Sequence, residues 1–497
     1  MSKSVCVVGA GPSGLVSAKT LLHNAPNGAF RVSLFDQQPA IGGLWPSSRA
    51  DVERQLHPLM LANQSRHTMH FSDLAWGADA AQVPRAWEVG RYLDRYLGRY
   101  LTGHPAFELR LGTRVVRAEP RADGWDILAE AGGEEEAAHF DYLVLASGHF
   151  GKPLVPTQVL SEPVAVPVIH SCQYRDLKGL LANQAPGGGK ILVVGGQMSG
   201  VEIAGTIAAH LSSAVNSPGE AGIPDVDRYS VHHIAQRPIW VFPTFTTPEP
   251  EAAAAPFLPL DFSSYNCNNR PLPLTNTQGH VSQDAAKAVH AIFERTLGHD
   301  QSALSPLLHV DDEARINPPY LAVSDWYCDF VRAGLVTLSA GKLASLQGRT
   351  ATVSPGGAQV HDVAAVVFAT GFDPSPSLSM LPQGTLDKLH HSPRHPTQPL
   401  ALAFHGTHHP DVPGLGFVGF YRSPYWGVMQ MQARLLARLW SDPAPPLLRK
   451  LGADDSVRRT LALRHDPRLS QFPMGDYLWL MQDGCPRCRT TGCRWTC

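Results

Sequence analysis

Two glycine-rich stretches have the residue types and spacing of dinucleotide-binding turns. The first, residues 9–14, reads Gly-Ala-Gly-Pro-Ser-Gly, and the second, residues 195–200, reads Gly-Gly-Gln-Met-Ser-Gly. In such a turn the first glycine makes the bend, the second lets backbone approach a pyrophosphate, and the third allows a helix to pack closely on a strand. In the second stretch Gln197 replaces the middle glycine, and we expect its side chain to contact phosphate. Together the stretches predict a chain that binds two dinucleotides.

The residues around the first turn support this interpretation. A strand-like apolar run at 4–8 precedes the turn, and apolar residues at helical spacing follow it over about 15–22. The next strand-like run, 31–36, ends in Asp36. A carboxylate at that distance from the glycines binds a ribose hydroxyl of the nucleotide. The first site is therefore predicted to be complete.

The second turn has a similar setting. An apolar strand at 191–194 precedes it, and a helix is predicted from Ser199 to about Leu211. Glu202 would lie in the first turn of that helix, where a carboxylate is favoured by the helix dipole. The alternative is a strand–helix turn with a purely structural role.

The end of the next strand indicates which nicotinamide nucleotide is bound. The strand predicted at 229–235 is followed by Gln236-Arg237, without an acid. A guanidinium binds the additional phosphate of NADPH in a bidentate manner, whereas an acid would favour the free ribose hydroxyl of NADH. We therefore predict NADPH; otherwise Arg237 is a solvated loop residue.

Alternating strands and helices around two such turns predict an α/β fold with two doubly wound Rossmann-like domains. A chain of 497 residues is long enough for both, and its net charge of −2 argues against nucleic acid as a partner. No apolar run approaches the roughly 18 residues of a membrane span. The first residues lead directly into a strand, which leaves no room for a targeting peptide and predicts a cytoplasmic protein.

The segment after the second strand separates the classes of flavoprotein. Residues 41–45 read Ile-Gly-Gly-Leu-Trp, and no cysteine lies between Cys6 and Cys172. Disulfide reductases carry a redox cysteine pair in this region, whereas the Gly-Gly-aromatic turn resembles the flavin-containing monooxygenases. Residues 61–73 resemble that family's T-N-x-S-K-x-x-M-x-F-S-D stretch, with Ala62 where Thr is usual.

Further stretches extend the resemblance along most of the chain. Residues 146–153 and 366–372 are similar to the two crossings between the family's domains, and 416–419 and 430–434 to its last strand and a flavin-covering helix. The family fingerprint F-x-G-x-x-x-H-x-x-x-[YF] is half present. His170 and Tyr174 supply its second half, but Val164 and Val166 stand where Phe and Gly are usual. Such departures resemble a divergent branch, the fungal members associated with secondary metabolism.

The resemblance implies FAD and NADPH as cofactors and oxygenation of a nitrogen or sulfur atom through a flavin C(4a)-hydroperoxide. Asn63 matches the family position that donates a hydrogen bond to this oxygen adduct; otherwise it is a turn or cap residue. The small molecule would be a natural product, with O2 as cosubstrate. The predicted cofactor-binding residues are Gly9, Gly11, Pro12, Ser13, Gly14, Asp36, Gly43, Leu44, Trp45, Asn63, Gln64, Gly195, Gln197, Ser199, Gly200, Val201, Glu202, Arg237, Thr370, Gly371 and Gln432.

Other functions remain open at this point. Baeyer–Villiger oxygenation of a ketone would use the same cofactors and would require a positioned arginine near the flavin. An NADPH oxidase or flavin reductase would reduce O2 without oxygenating a substrate, and a non-catalytic flavoprotein would do neither. The sequence does not identify the substrate and leaves a homo-oligomer open.

The domain boundaries follow from these motifs. Residues 1–155 and 345–497 are predicted to form the FAD domain, and 156–344 an inserted NADPH domain. Within the insert, the Pro/Ala-rich and partly helical segment 243–320 is expected to cover the substrate. The Cys-rich tail, 484–497, has zinc-knuckle-like spacing, but we expect reduced thiols on a disordered end. No metal site is predicted, although histidines are frequent between 390 and 409.

Overall fold

The computed structural model describes residues 2–182, 187–219, 222–247, 253, 257–264, 273–421, 423 and 425–484. The Cys-rich tail from 485 onward, and parts of the 243–320 segment, lie outside these ranges. The strands are β1 (Lys3–Val8), β2 (Phe30–Phe35), β3 (Phe107–Arg110), β4 (Thr113–Arg121), β5 (Gly124–Ala131), β6 (Glu134–Phe140), β7 (Tyr142–Leu145), β8 (Lys152–Pro153), β9 (Val168–His170), β10 (Gly189–Val194), β11 (Tyr229–Ala235), β12 (Trp240–Phe242), β13 (Phe245–Thr246), β14 (Leu258–Pro259), β15 (Leu321–Val323), β16 (Val336–Ala340), β17 (Lys342–Gln347), β18 (Thr350–Ser354), β19 (Ala358–Val360), β20 (Val363–Phe368), β21 (Phe372–Asp373) and β22 (Leu415–Phe417).

The helices are α1 (Pro12–His23), α2 (Ala86–Tyr100), α3 (Leu177–Leu181), α4 (Met198–Asn216), α5 (Asp261–Ser264), α6 (Gln283–Leu297), α7 (Tyr327–Arg332), α8 (Gln383–Lys388), α9 (Trp426–Ser441), α10 (Pro445–Gly452), α11 (Ser456–Leu463) and α12 (Met474–Gly484). None of the helices in the described ranges is both long enough and apolar enough to cross a membrane.

The first domain is built on a parallel sheet with the strand order β22-β7-β1-β2-β3. Its central strand β1 is buried on both faces, as expected for a parallel sheet inside a domain, and its adjacent residues Cys6 and Val7, which point to opposite faces, are both 0% exposed. Helix α1 follows β1 directly, and α9 packs against it through a contact between Ser13 and Met429. Helix α2 buries Val89, Leu93 and the neighbouring aromatic side chains of Tyr92 and Tyr96.

The second domain is built on a parallel sheet with the order β16-β11-β10-β20-β9. This arrangement corrects the boundary expected at 345, because β20 hydrogen-bonds to β10 and belongs to the inserted domain. The apolar run of β20 supplies a strand that this sheet requires, so the chain returns to the first domain only after Phe368. The sequence pattern alone did not show which of the two sheets would take this strand.

The two crossings between the domains lie side by side. Strands β8 and β21 pair antiparallel, and Gly371 accepts a hydrogen bond from the backbone N–H of Leu154. The Thr370 hydroxyl donates to the Leu154 carbonyl. His170 Nε2 lies 3.1 Å from the Gly371 carbonyl oxygen, so this nitrogen carries the proton. Burial lowers the pKa of His170, which keeps the imidazole neutral. The crossings therefore form one hydrogen-bonded junction.

Candidate functional site

The first glycine turn has the geometry of a dinucleotide cradle. A Cβ atom on Gly14 would lie 1.7 Å from the carbonyl oxygen of Gly9, so α1 can approach β1 only because this residue is glycine. A Cβ on Gly43 would lie 3.2 Å from Gly11 Cα, and Gly43 has a φ of +61°. The backbone of Gly43 therefore packs directly against that of Gly11, and the two turns meet without intervening side chains. The binding of the FAD pyrophosphate at the first turn remains a prediction.

Two charged residues hold this cradle in shape. The Asp36 carboxylate accepts the backbone N–H of Ala10 at 2.7 Å and that of Gln38 at 2.8 Å. Arg54 donates to three carbonyls of the facing turn, including that of Gly43 at 2.9 Å. Sequence analysis had assigned ribose binding to Asp36 and had not considered Arg54. A guanidinium donor 11 residues from its acceptor leaves no signature in residue spacing.

The second turn repeats the first in outline. A Cβ on Gly200 would lie 1.7 Å from the Gly195 carbonyl oxygen. That oxygen also lies 2.7 Å from Nε2 of His233, whose Nδ1 lies 2.7 Å from the Tyr327 hydroxyl oxygen. Nε2–H must donate to the carbonyl, and Nδ1 accepts from the hydroxyl. Burial lowers the pKa of His233 to about 4, which preserves this neutral form. No pattern in the sequence indicates His233 or Tyr327 as part of this site.

The remaining residues of the second turn occupy different environments. Gln197 and Ser199 are exposed, and Gln197 precedes α4 with an extended φ of −111° and no side-chain cap. Val201 is fully buried against the sheet. Glu202 is the fifth residue of α4, so the expectation that it lies in the first turn is wrong, because the helix begins at Met198. Burial raises the pKa of Glu202 to about 7.

Asn63 lies where the two domains meet. Its side-chain Nδ2 is 2.9 Å from Sδ of Met198, the first residue of α4. A loop of the FAD side therefore touches the helix that follows the second turn, across 135 positions of sequence. Asn63 is exposed and the neighbouring Gln64 is partly exposed, so both remain available to a ligand.

A carboxylate of the inserted segment holds the loop that carries Asn63. One oxygen of Asp261 accepts the Ser65 backbone N–H at 3.0 Å, the Ser65 hydroxyl at 2.9 Å and the Thr68 hydroxyl. The rings of His67 and Phe262 lie beside this contact, with centroids 5.0 Å apart. The 243–320 segment thus reaches the FAD-side loop, as a covering element would, but sequence analysis did not identify Asp261.

Several predicted cofactor residues have side chains that bind protein groups. The Gln432 amide, fully buried, accepts the backbone N–H of Gly419 and donates to the carbonyl of His405. The Ser13 hydroxyl contacts Met429, and Pro12 is the first residue of α1. Leu44 and Trp45 are partly exposed beside the Gly43 turn. Their cofactor contacts remain predictions.

Arg237 follows β11 and is exposed at the edge of the second sheet. Its guanidinium carbon lies 4.9 Å from the centre of the Tyr320 ring, and both residues line a cavity of about 200 Å³. The other residues that line this cavity lie mainly between 290 and 320, and none of them belongs to the second glycine turn, so the contact of Arg237 with NADPH remains a prediction. Among the described residues, no group of three or more His, Cys, Asp or Glu side chains could hold a metal ion.

Comparisons with known sequences agree with this arrangement. Residues 6–150 match a family model described as FAD-NAD(P)-binding. The thiol-specific monooxygenase of Saccharomyces cerevisiae is 24% identical over 222 residues, which are 44% of this chain and 50% of the relative. The 4-hydroxybenzoate brominase (decarboxylating) of Marinomonas mediterranea is 24% identical over 454 residues, 89% of this chain and 74% of the relative. Flavin-containing monooxygenase FMO GS-OX1 of Arabidopsis thaliana is 29% identical over 262 residues, 48% and 53% of the two chains. The chain spans about half the length of the first of these relatives.

Solved structures share the fold over nearly the whole chain. An open structure of cyclohexanone monooxygenase superposes with a TM-score of 0.58 at 15% identity and covers 97% of both chains. The structure of OTEMO in complex with FAD and NADP superposes with a TM-score of 0.56 at 13% identity, covering 93% of this chain and 92% of that one. The predicted fold class, two doubly wound domains with the second inserted into the first, is confirmed.

Proposed function

Because the chain is a distant relative of the class B flavin-containing monooxygenases, we propose that it is an FAD-dependent monooxygenase that consumes NADPH and O2. The overall reaction transfers one oxygen atom of O2 to a small substrate and reduces the other to water, with NADPH supplying two electrons. Bound FAD would carry those electrons from NADPH to O2.

The contact between Asn63 and Met198 carries this proposal. Hydride transfer requires the flavin and the nicotinamide to meet, and this contact joins a loop of the first domain to the helix after the second glycine turn. Two nucleotide sites that act independently would not require a contact between these two elements. The close approach of α1 to β1 at Gly9 and Gly14 supports FAD in the first site, and an exposed Arg237 just after the end of β11 supports NADPH in the second.

The side chains around the contact between Asn63 and Met198 suit oxygen transfer better than acid–base chemistry. Asn63 offers a neutral N–H donor, which neither repels a developing oxyanion nor supplies a proton that would release H2O2. The Asp261 carboxylate is occupied by Ser65 and Thr68, so it holds the loop and does not act as a base. The segment around Asp261 would also exclude water from the junction.

We propose a nitrogen or sulfur atom of a small, apolar natural product as the site of oxygenation. Sulfur is supported by the names of two proteins: the thiol-specific monooxygenase of yeast and the S-allyl-L-cysteine S-oxygenase of Allium sativum, which shares the fold with a TM-score of 0.57. The half-present fingerprint around Val164 favours a divergent, fungal type of enzyme with a substrate of secondary metabolism.

Substitution of Asn63 tests the proposal directly. Asn63→Ala should leave the rate of flavin reduction by NADPH within about twofold and shift O2 consumption from oxygenated product to H2O2, because the neutral donor is lost. Product and H2O2 are measured per NADPH oxidised, with a model thiol or amine as substrate. Asn216→Ala removes an exposed asparagine at the far end of α4 and should retain the native coupling.

The same assay separates the other functions. Native protein that forms only H2O2 with thiols, amines and ketones would be an oxidase, and a lactone formed from a cyclic ketone would indicate Baeyer–Villiger oxygenation. Native coupling retained in Asn63→Ala would refute the role assigned to Asn63. A purified protein without a flavin spectrum would refute the proposal as a whole.

A further inference from the structure

A second cavity lies away from the glycine turns, between the two domains. It has a volume of about 310 Å³ and is bounded by residues 464–469 after α11, by the 395–398 loop, and by His280 and Tyr320 of the inserted domain. Backbone hydrogen bonds from Val281 to Arg468 and from Ser470 to Gly279 close one wall. None of the predicted cofactor residues lines this cavity.

Arg464 places unsatisfied charge in the wall of this cavity. Its Nε and Nη2 atoms are buried, yet they have no hydrogen-bond partner among the described residues. No carboxylate of the described residues forms a salt bridge with this guanidinium either. Burial lowers the pKa of Arg464, which reflects the cost of keeping the charge there. Arg464 as a whole is partly exposed, but buried guanidinium nitrogens normally have a hydrogen-bond partner, so an anion at this side chain would account for the two unpaired atoms.

Histidines surround the same space. His395 Nε2 lies 3.2 Å from Nδ1 of His465, and burial, followed by the neighbouring His465 and Arg464, lowers the pKa of His395. His280 Nδ1 lies 3.2 Å from the carbonyl of Gln278 and must donate to it, which leaves its buried Nε2 without a partner among the described residues. With the proton on Nδ1, this Nε2 is an acceptor, so His280 offers an anion no donor in its neutral form.

The single acid of the cavity wall is already neutralised. The Asp466 carboxylate accepts hydrogen bonds from Arg468 Nε at 3.0 Å, Arg468 Nη2 at 2.6 Å and the Arg468 backbone N–H at 2.9 Å. Hydrogen bonds from Arg468 lower the pKa of Asp466 to about 2, so this pair keeps zero net charge near neutral pH. The uncompensated charge of the cavity is that of Arg464.

We propose that this cavity binds a small oxyanion, a phosphate or carboxylate group, with Arg464 as its ligand. The planar guanidinium offers paired donors of the geometry that these anions accept. This inference does not depend on the proposed monooxygenase activity, because it concerns binding at a separate cavity.

Two molecules could supply such an anion. The cavity shares Tyr320 and Pro467 with the cavity that contains Arg237, so a phosphate of the nicotinamide nucleotide could reach it. A separate phosphorylated or carboxylated metabolite could also enter. Both present the same chemistry to Arg464, and competition with the nucleotide distinguishes them.

The test is calorimetric titration of the purified holoenzyme with inorganic phosphate and, separately, with acetate. The native protein should bind at least one of these anions, and Arg464→Met should weaken that binding at least about tenfold, the loss expected for a charge-assisted hydrogen bond. Arg464→Lys, which keeps the charge and the fold, should retain part of the affinity. Arg458→Met is the matched control, because Arg458 is an exposed arginine of α11 that pairs with Asp455 outside the cavity.

Thermal unfolding gives a second readout. Without added anion, Arg464→Met should melt at the same temperature as the native protein or higher, because it removes an unpaired buried charge. Absence of binding of both anions by the native protein, or equal affinity in Arg464→Met, would overturn the proposal. If NADP+ at saturation abolishes anion binding, the nucleotide's own phosphate is the ligand; if binding persists, the ligand is a separate molecule.

Discussion

Asp261 contacts the loop that carries Asn63, and the structure indicates how much the stability of this loop should fall when Asp261 is replaced. One carboxylate oxygen accepts the backbone N–H and the hydroxyl of Ser65 and the hydroxyl of Thr68. Ser65 is fully buried and Asp261 is 7% exposed, so water does not replace the acceptor. Asp261→Ala should therefore loosen this loop while the two glycine turns stay intact.

The free-energy change caused by Asp261→Ala depends mainly on the Ser65 backbone N–H. The two hydroxyls can rotate toward other acceptors, and Thr68 already lies 3.5 Å from the Ser65 carbonyl. The N–H cannot rotate, and a buried donor without a partner costs about 1–3 kcal/mol. Loss of the charge-assisted bonds brings the expected change to about 2–3 kcal/mol. This corresponds to a population of the open loop that is about 30- to 150-fold higher.

Hydrogen exchange followed by mass spectrometry measures this population. Peptides covering 61–70 should exchange about 30- to 150-fold faster in Asp261→Ala, provided that exchange follows the opening equilibrium. Asp325→Ala is a suitable control, because Asp325 accepts the backbone N–H and hydroxyl of Thr244 at the other end of the same segment. Unchanged exchange at 61–70 in Asp261→Ala, or equal acceleration in the control, would refute the reasoning.

Two further predictions concern the inserted domain. Arg237→Ala should weaken NADPH binding about ten- to a hundredfold and leave NADH binding unchanged, since only NADPH carries the additional phosphate that this guanidinium would bind. Flavin reduction at varied nucleotide concentration measures both affinities. Equal losses for NADPH and NADH would contradict the role assigned to Arg237. Because the folded-state pKa of His233 is lowered to about 4 from 6.5, the unfolded chain binds more protons between these values, and stability present above pH 6.5 is lost as the pH falls. The free energy of unfolding in urea that is lost between pH 7 and pH 4.5 should be about 2–3 kcal/mol smaller in His233→Gln than in the native protein, while other histidines whose pKa burial lowers, such as His232, account for the loss that remains. An equal loss in the variant and in the native protein would contradict the role assigned to His233.

Local pattern was sufficient to predict the two turns and their strands. The observed β11 spans Tyr229–Ala235, as expected from the sequence, and both turns close on glycines whose Cβ atoms would clash with the first carbonyl of the turn. These features depend on residues within about 30 positions of one another. Helix α4 extends to Asn216, beyond the Leu211 predicted, because Ser212, Ser213 and Ala214 interrupt the apolar pattern without ending the helix.

The tertiary contacts of the site could not be predicted in this way. Asn63 meets Met198, and Ser65 meets Asp261, across 135 and 196 positions, and no periodicity relates such pairs. The sequence did not predict that β20 belongs to the second sheet for a similar reason, since a buried apolar strand suits either sheet. Resemblance indicated that Asn63 matters, whereas the carboxylate that positions its loop became apparent only from the folded chain.

The insertion of one domain into the other has a consequence for biosynthesis. The second sheet uses strands from β9 to β20, which leave the ribosome as one continuous stretch, whereas the first sheet lacks β22 until residues 415–417 are made. The inserted domain can therefore complete its sheet while β7 still has an unpaired edge. Helix α9, which packs on α1, also arrives late. Exposed strand edges promote aggregation during synthesis. Truncation before β22 should therefore leave a folded inserted domain attached to an aggregation-prone remainder.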